Sequence, residues 1–371
     1  MKTRNCLSSL ALMATVALSG CTNDSDTPDT NPNFPQDGVM RFATSVTDAQ
    51  TRTGYDDSNV TTQDLYLWVK PTGDNVKDAY IYKNILLHYA NGGWGTYDKN
   101  SETGSTTSTT LLWQDKTTPV TVVASNFGED NTGADLNTKA AIMVQSGQTM
   151  EEFVTTSDYL YFHGTVNPAA TTDKTESDGS ISQYTLVDGK VRLPLRHINS
   201  KLNIILTLGT EFNATTDGLG FGKANPLTDV KVNNVYCDCL FDMTTGTFGS
   251  FKDYEDKEAI LCNITLSTGT DGSDDYHSLG KWIPAADVTK KATASYECIL
   301  IPQTATFSVS FTLGGKAYKW TSASPVNFES GKAYTLELTA GKSLVTLQSK
   351  SITTSEWGSG TPENNGNIET E

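Results

Sequence analysis

Four histidines, six cysteines and one acidic run are the residues of this 371-residue chain whose chemistry could go beyond packing. A metal or acid–base site needs several such groups brought together. His88, His163, His197 and His277 are scattered, with no Gly-x-Ser-x-Gly or other nucleophile signature beside them. His197 falls on an apolar-alternating face, which predicts a hydrogen-bonded core residue. Cys237 and Cys239 sit two apart, so on a strand they face the same way and need partners on neighbouring strands. Cys262 and Cys298 are isolated, whereas zinc would want a second paired motif; the four are small buried hydrophobes or supply one disulfide. Gly341-Lys342-Ser343 looks like the end of a phosphate loop, but that loop needs glycine where Leu336 stands inside a strand. Asp271-Gly272-Ser273-Asp274-Asp275 could offer oxygens to calcium, yet it lacks the spacing and distal Glu of an EF-hand and reads as a solvated loop. The six Trp and 15 Tyr could stack on sugars, but most lie in strand patterns, where core packing is the default. The expectation is no enzyme, no metal and no cofactor.

One cysteine differs. Residues 1–20 read as an export signal, with Lys2 and Arg4, an apolar stretch from Leu7 to Leu18, and small Ser19 and Gly20 before Cys21. The apolar stretch is too short to span a bilayer, which takes about 20 apolar residues. Leu18-Ser19-Gly20-Cys21 resembles the lipobox of bacterial lipoproteins, in which the thiol is acylated and the cysteine becomes the mature N-terminus. Acyl chains at about 0.8 kcal/mol per buried CH₂ then anchor the chain in the outer membrane without a transmembrane helix. The alternative is a soluble secreted protein with a chance cysteine at the cleavage site. Residues 21–38 are polar and acidic, with Pro28, Pro32 and Pro35, and read as a tether.

The elements that would position any site are strands. The chain holds 55 threonines, which suit half-exposed strand faces and handicap long helices. With 27 Lys+Arg against 43 Asp+Glu, the net charge of −16 lacks the electrostatic footprint of a nucleic-acid binder. Period-2 runs appear at Val39–Thr44, Leu65–Val69, Tyr80–Tyr82, Leu111–Trp113 and Val120–Ala124. Asn91-Gly92-Gly93 and a Ser/Thr/Gly tract at Ser101–Thr110 read as turns. Short helices are expected near Leu136–Val144 and Met150–Phe153. A second block opens at Val191, and its strands include Val230–Val235, Tyr236–Phe241, Ile260–Leu266, Tyr296–Ile301 and Tyr334–Leu338. Phe307–Leu313, Gly314-Gly315 and Ala317–Trp320 form the clearest hairpin. Short strands at roughly 8–12-residue spacing in both halves predict an all-β chain of two tandem β-sandwich domains with short helical insertions, 39–190 and 191–371.

In order, the lipobox, the tether, Phe42-Ala43, Thr51-Arg52-Thr53, Leu111-Leu112-Trp113 and Val122-Val123-Ala124-Ser125 resemble the bacterial fimbrillin (Mfa-like) family. The resemblance continues through Val191–Leu202 with His197 and Ser200-Lys201-Leu202, Glu297–Gln303, Phe328–Leu336 and the tail Ile352…Glu356-Trp357-Gly358. The Thr/Ser tract at 101–110 and the polar tail after Trp357 depart from the pattern.

That resemblance implies transthyretin-like sandwiches, a surface fimbria (type V pilus) as location, and other fimbrial subunits as partners. It also implies a trypsin-like protease that cuts after an arginine, removing the lipidated N-terminus with the first strand. The groove left is filled by a strand from the next subunit: an open sheet edge offers unpaired N–H and C=O groups, and alternate side chains fill apolar pockets. The matching cut here is Arg52–Thr53, with Val39–Ser45 as the strand removed; Arg41 is less apt because it lies inside that strand. The alternative for Arg52 is an unprocessed surface arginine. The expected donor is Leu344–Trp357, with Leu344, Val345, Leu347, Ile352 and Trp357 as its apolar contacts; the alternative is an ordinary terminal strand within one chain. The other functional reading is a lipid-anchored tip, anchor or adhesin that binds a host or bacterial surface ligand and never polymerises.

Overall fold

The computed structural model describes residues 31–47, 55–99, 104–127, 139–149, 151–213, 218–222, 224–249, 258–261, 280–342, 345–347 and 352–357. Cys21, Arg52, Thr53, Cys262, His277, Leu344 and the acidic loop at 271–275 lie outside these residues. The described residues fall in one compact unit.

In chain order the first half carries β1 (Phe42–Val46), β2 (Leu65–Pro71), β3 (Tyr82–Ala90), β4 (Gly93–Lys99), β5 (Thr106–Ser108), β6 (Val120–Ser125), β7 (Lys139–Met143), α1 (Glu151–Thr155), β8 (Leu160–Val166), β9 (Lys174–Thr175) and β10 (Ile181–Gln183). It is followed by β11 (Val191–His197), β12 (Ser200–Leu208), β13 (Leu227–Val235), β14 (Asp238–Asp242), β15 (Thr247–Phe248), β16 (Glu258–Leu261), β17 (Gly280–Ile283) and β18 (Thr293–Leu300). The chain ends with β19 (Gln303–Ala305), β20 (Ser308–Leu313), β21 (Lys316–Thr321), β22 (Val326–Phe328), β23 (Lys332–Ala340), β24 (Val345–Leu347) and β25 (Thr353–Glu356). The fold is all-β, as the threonine content and alternation predict.

An eight-stranded sheet runs β1-β11-β8-β6-β2-β3-β4-β5. Its central strand β2 is buried on both faces, so its sequence reads as a continuous apolar run. Leu65, Leu67 and Val69 join one core with Val122, Leu160, Phe162, Leu193 and Leu195. Tyr66 and Trp68 join another, with Tyr161, Ile142, Phe241 and Met243. The second core exists because a three-stranded sheet, β15-β14-β7, packs there. Phe241 meets Tyr161 edge-on at 5.0 Å between ring centroids.

The second half is a sandwich. One sheet runs β17-β18-β12-β23, with β24 and β25 both on the outer side of β23, and the other runs β16-β13-β20-β21. Their shared core holds Leu202, Ile204, Leu206, Tyr296, Val309, Phe311, Leu336 and Leu338. The β20–β21 turn at Gly314-Gly315 has φ of 59° and 77°, and this left-handed pair suits the twist of a two-residue hairpin and requires glycine.

Three sequence expectations are corrected. Residues 139–143, expected to be helical, form β7, because Ala140 and Ile142 alternate into the core while every residue of the strand pairs with β14. Leu111–Trp113 makes only a single bridge, Leu112 to Val39, with Met40 N–H donating to Leu111 O. The Ser101–Thr110 tract contains β5, paired to β4. In addition Val191–His197, which opens the C-terminal block in the sequence, pairs within the first sheet, so the change of sheet falls at Ile198-Asn199.

Candidate functional site: two edge strands and the seat of Trp357

β1 is the terminal strand of the eight-stranded sheet and pairs parallel with β11, from Phe42↔Val191 to Val46↔Leu195. Val191 N–H donates to Arg41 O at 2.8 Å and Thr47 N–H to Leu195 O at 2.9 Å, so alternate residues of β1 turn their backbone to β11. Phe42 and Val46 point into the core with Met40 and Phe34 from the preceding segment. At about 1.5–3 kcal/mol per buried large apolar side chain, these four carry roughly 6–12 kcal/mol, an upper estimate. That is comparable to the net stability of a whole domain, about 5–15 kcal/mol. The outer side of β1 opens on a cleft of about 460 Å³ lined by Arg41–Thr44, Val60, Tyr89 and Trp94 among others. Arg41 is held by Asp37 on the surface, and this hydrogen bond lowers the Asp37 carboxyl to about 2.

The C-terminal edge is built differently. β24 pairs antiparallel with the end of β23, from Ala340↔Val345 to Leu338↔Leu347, and β25 with its start, from Lys332↔Glu356 to Thr335↔Thr353. All four residues of β25 are exposed. Ile352 is partly buried against the core, Lys332 and Glu356 form a surface ion pair, and Trp357 is 1% exposed. Of the proposed donor residues, then, Val345 and Leu347 lie in β24, Ile352 precedes β25 and Trp357 closes it.

Trp357 sits where the two halves meet. Its ring stacks on His197, the last residue of β11, with centroids 4.4 Å apart and planes 8° from parallel. The His197 ring is fixed by Asp158, whose Oδ1 lies 2.7 Å from Nδ1. The other oxygen, Oδ2, accepts the N–H of Tyr55 at 2.8 Å. Both side chains of the His–Asp pair are wholly buried. Asp158 is delivered by the turn that closes α1, where its N–H donates to Thr155 O, and it stands two residues before β8. Burial, with the Asp158 carboxylate beside it, pushes the Tyr55 phenol far above its ordinary value. From the other side the Glu329–Gly331 turn completes the seat. Trp357 N–H donates to Gly331 O at 3.0 Å and Gly331 N–H to Asn199 O at 2.9 Å. Gly331 has φ of 70°, a left-handed turn that favours glycine.

The sequence placed His197 in the core, hydrogen-bonded, and that is where it lies. It gave no sign of Asp158 or Tyr55, which are 39 and 142 residues from His197 and belong to no motif. Cys237, Cys239 and Cys298 are buried. Burial raises the Cys239 thiol above its ordinary value. His88 makes a surface pair with Asp64 at 2.6 Å, and His163 is held below its usual value by burial, then by Arg196.

A family model described as fimbrillin-like matches residues 51–357. Comparison with curated protein sequences gives no match. Among solved structures, a protein provisionally assigned to cell adhesion from Bacteroides ovatus is 14% identical, covering 86% of this chain and 96% of its own, with a TM-score of 0.50. A fimbrial protein from Bacteroides vulgatus is 11% identical, covering 86% and 99%, with a TM-score of 0.47. The fimbrial anchor protein Mfa2 from Porphyromonas gingivalis is 9% identical, covering 86% and 97%, with a TM-score of 0.36. At these identities the first of them speaks to the fold alone.

Proposed function

The chain belongs to the fimbrillin-like family, with the fimbrial or adhesive surface role that family has, and we propose that it is a fimbrial subunit that polymerises by exchanging strands. In this reading Cys21 is acylated and holds the precursor at the outer membrane, and a trypsin-like protease cuts between Arg52 and Thr53. β1 then leaves with the lipidated segment, and the C-terminal segment of another subunit, Leu344–Trp357, takes its place beside β11.

The observation that carries the reading is the position of β1. It is an edge strand, so its loss severs pairing on one side only, and it bears Phe42 and Val46 in the core, so its loss leaves an apolar trench. A bared strand edge above an apolar trench is what strand addition fills: backbone hydrogen bonds give affinity and alternate side chains give register.

A specific observation favours a second reading. The C-terminal segment is seated on its own chain with Trp357 buried, which suits a tip, anchor or adhesin that keeps this strand. Trypsin treatment of the exported full-length protein separates the two. Polymerisation gives SDS-resistant ladders whose subunits begin at Thr53, and an Arg52→Ala variant gives none. Cleaved protein that stays monomeric with its C-terminal segment intact overturns the polymerising subunit and leaves the adhesin. Ladders from the Arg52→Ala variant overturn the assigned cut.

A further inference from the structure

We propose that the stacking of Trp357 on His197 is a latch that retains the C-terminal segment on its own subunit, so that opening this contact sets the rate of strand donation. This rests on the reading in which that segment is handed to another copy.

Three features of the seat lead there. The first is concentration. Between Ile352 and Trp357 the strand residues are exposed and the ion pair is at the surface, so beyond the backbone pairing of β24 and β25 with β23 the side-chain hold on this end falls on one buried ring with a partly buried isoleucine. The second is preorganisation. His197 cannot turn away from Trp357 without giving up Asp158, and Asp158 in turn holds the backbone of Tyr55. The third is the kind of contact. Trp357 Nε1 and His197 Nε2 are buried with no hydrogen-bond partner among the described residues. When the indole departs, stacking and apolar burial are lost but no side-chain hydrogen bond is broken. An equivalent apolar seat elsewhere can therefore replace it, as exchange of an identical element between protomers requires.

The place of the seat gives the latch its input. His197 ends the strand whose edge β1 covers, and Tyr55 lies three residues beyond Arg52. Withdrawal of β1 thus bears on the latch from two sides, through β11 and through the Tyr55–Asp158 hydrogen bond. Asp158 and His197 act here as positioning residues. By linkage, whatever β1 does to the retention of Trp357, Trp357 does to the retention of β1.

The test uses full-length chains. A labelled Arg52→Ala chain keeps β1 and can donate but not accept; it is mixed with unlabelled, protease-cleaved protein, and its incorporation is timed. In parallel, amide exchange is followed at residues 353–356 in the uncleaved labelled chain alone. Adding His197→Ala to the donor is expected to raise both the incorporation rate and the exchange at 353–356 at least tenfold, with β12 and β18 still protected. Trp357→Leu, which fills space but cannot stack, is expected to raise the exchange likewise and serves if His197→Ala does not fold. Exchange at 353–356 that does not respond to a folded variant overturns the latch. So does faster exchange with an unchanged rate of incorporation. If the Arg52→Ala chain with His197 intact and a His197→Ala chain are both refused by cleaved protein, the strand-donation reading falls, and the latch as a control on donation falls with it. Incorporation of both at one rate overturns the latch alone.

Discussion

Two edge strands of this molecule, β1 and β25, are held in opposite ways. β1 is short, but it and the segment before it place four apolar side chains in the first core. β25 is nearly as long, yet it is exposed along its length and its side-chain anchorage comes from the tryptophan that follows it and the partly buried Ile352 that precedes it. The first is deeply seated and leaves, in the proposed mechanism, only after a covalent cut. The second is shallowly seated and, in the same proposed mechanism, leaves intact. An edge strand that must stay until processed and one that must be transferable need different anchoring, and the difference lies in side-chain burial, not in the count of backbone pairs.

The contrast can be broken or sharpened by measurement. The largest effect is expected from losing the segment up to Arg52 by cleavage in dilute protein with no donor. The first core should lose roughly 6–12 kcal/mol, seen as a collapse of the urea midpoint, whereas Trp357→Ala should cost about 3–5 kcal/mol at most. Equal losses would erase the distinction. Next, Phe42→Ala should by itself destabilise by about 3–5 kcal/mol, read from the same urea curves. A loss below about 1 kcal/mol would show that β1 is no better anchored than β25. Asp158→Asn keeps the size of the side chain but either leaves Tyr55 N–H facing an amide N–H or requires His197 to accept at Nδ1 and carry its proton on the buried, unpartnered Nε2. It should cost about 1–3 kcal/mol and raise amide exchange at both Tyr55 and Trp357. Exchange that rises at one and not the other would separate the two ends of the seat. Lys332→Ala, which removes the surface partner of Glu356, should leave the urea midpoint unmoved, because exposed ion pairs contribute little.

Much of the fold was legible because alternation and turn chemistry agree. Leu65–Val69, Val120–Ala124 and the Phe307–Trp320 hairpin are strands for local reasons, and the structure forms them as read. β7 was not legible: Lys-Ala-Ala-Ile-Met has good helix formers, and only the distant partner β14 makes it a strand. Leu111–Trp113 failed the other way. Its strand-like residues find one bridge, and Leu111 and Trp113 serve as core fillers beside Phe34 and Met40. β11 shows why a boundary is hard to read from one chain, since it joins the first sheet through β8, some 30 residues earlier, and through β1, some 150 residues earlier. At the candidate site, His197 and Trp357 could be picked out singly, the one by its alternating run and the other by its place in a polar tail. Their stacking, and the carboxylate that aims it, come from tertiary proximity of residues with no common motif.

The parallel pairing of β12 with β23 carries a mechanical consequence. The eight residue pairs run from Lys201↔Ala333 to Leu208↔Ala340. The chain enters β12 from the first sheet at Ser200 and leaves β23 beyond Ala340, at the opposite end of the pair. Tension applied along the chain between those points therefore loads the whole ladder in shear, and its hydrogen bonds must yield together instead of unzipping one by one. In the thread that the proposed strand exchange would build, this pair lies in the path of the load.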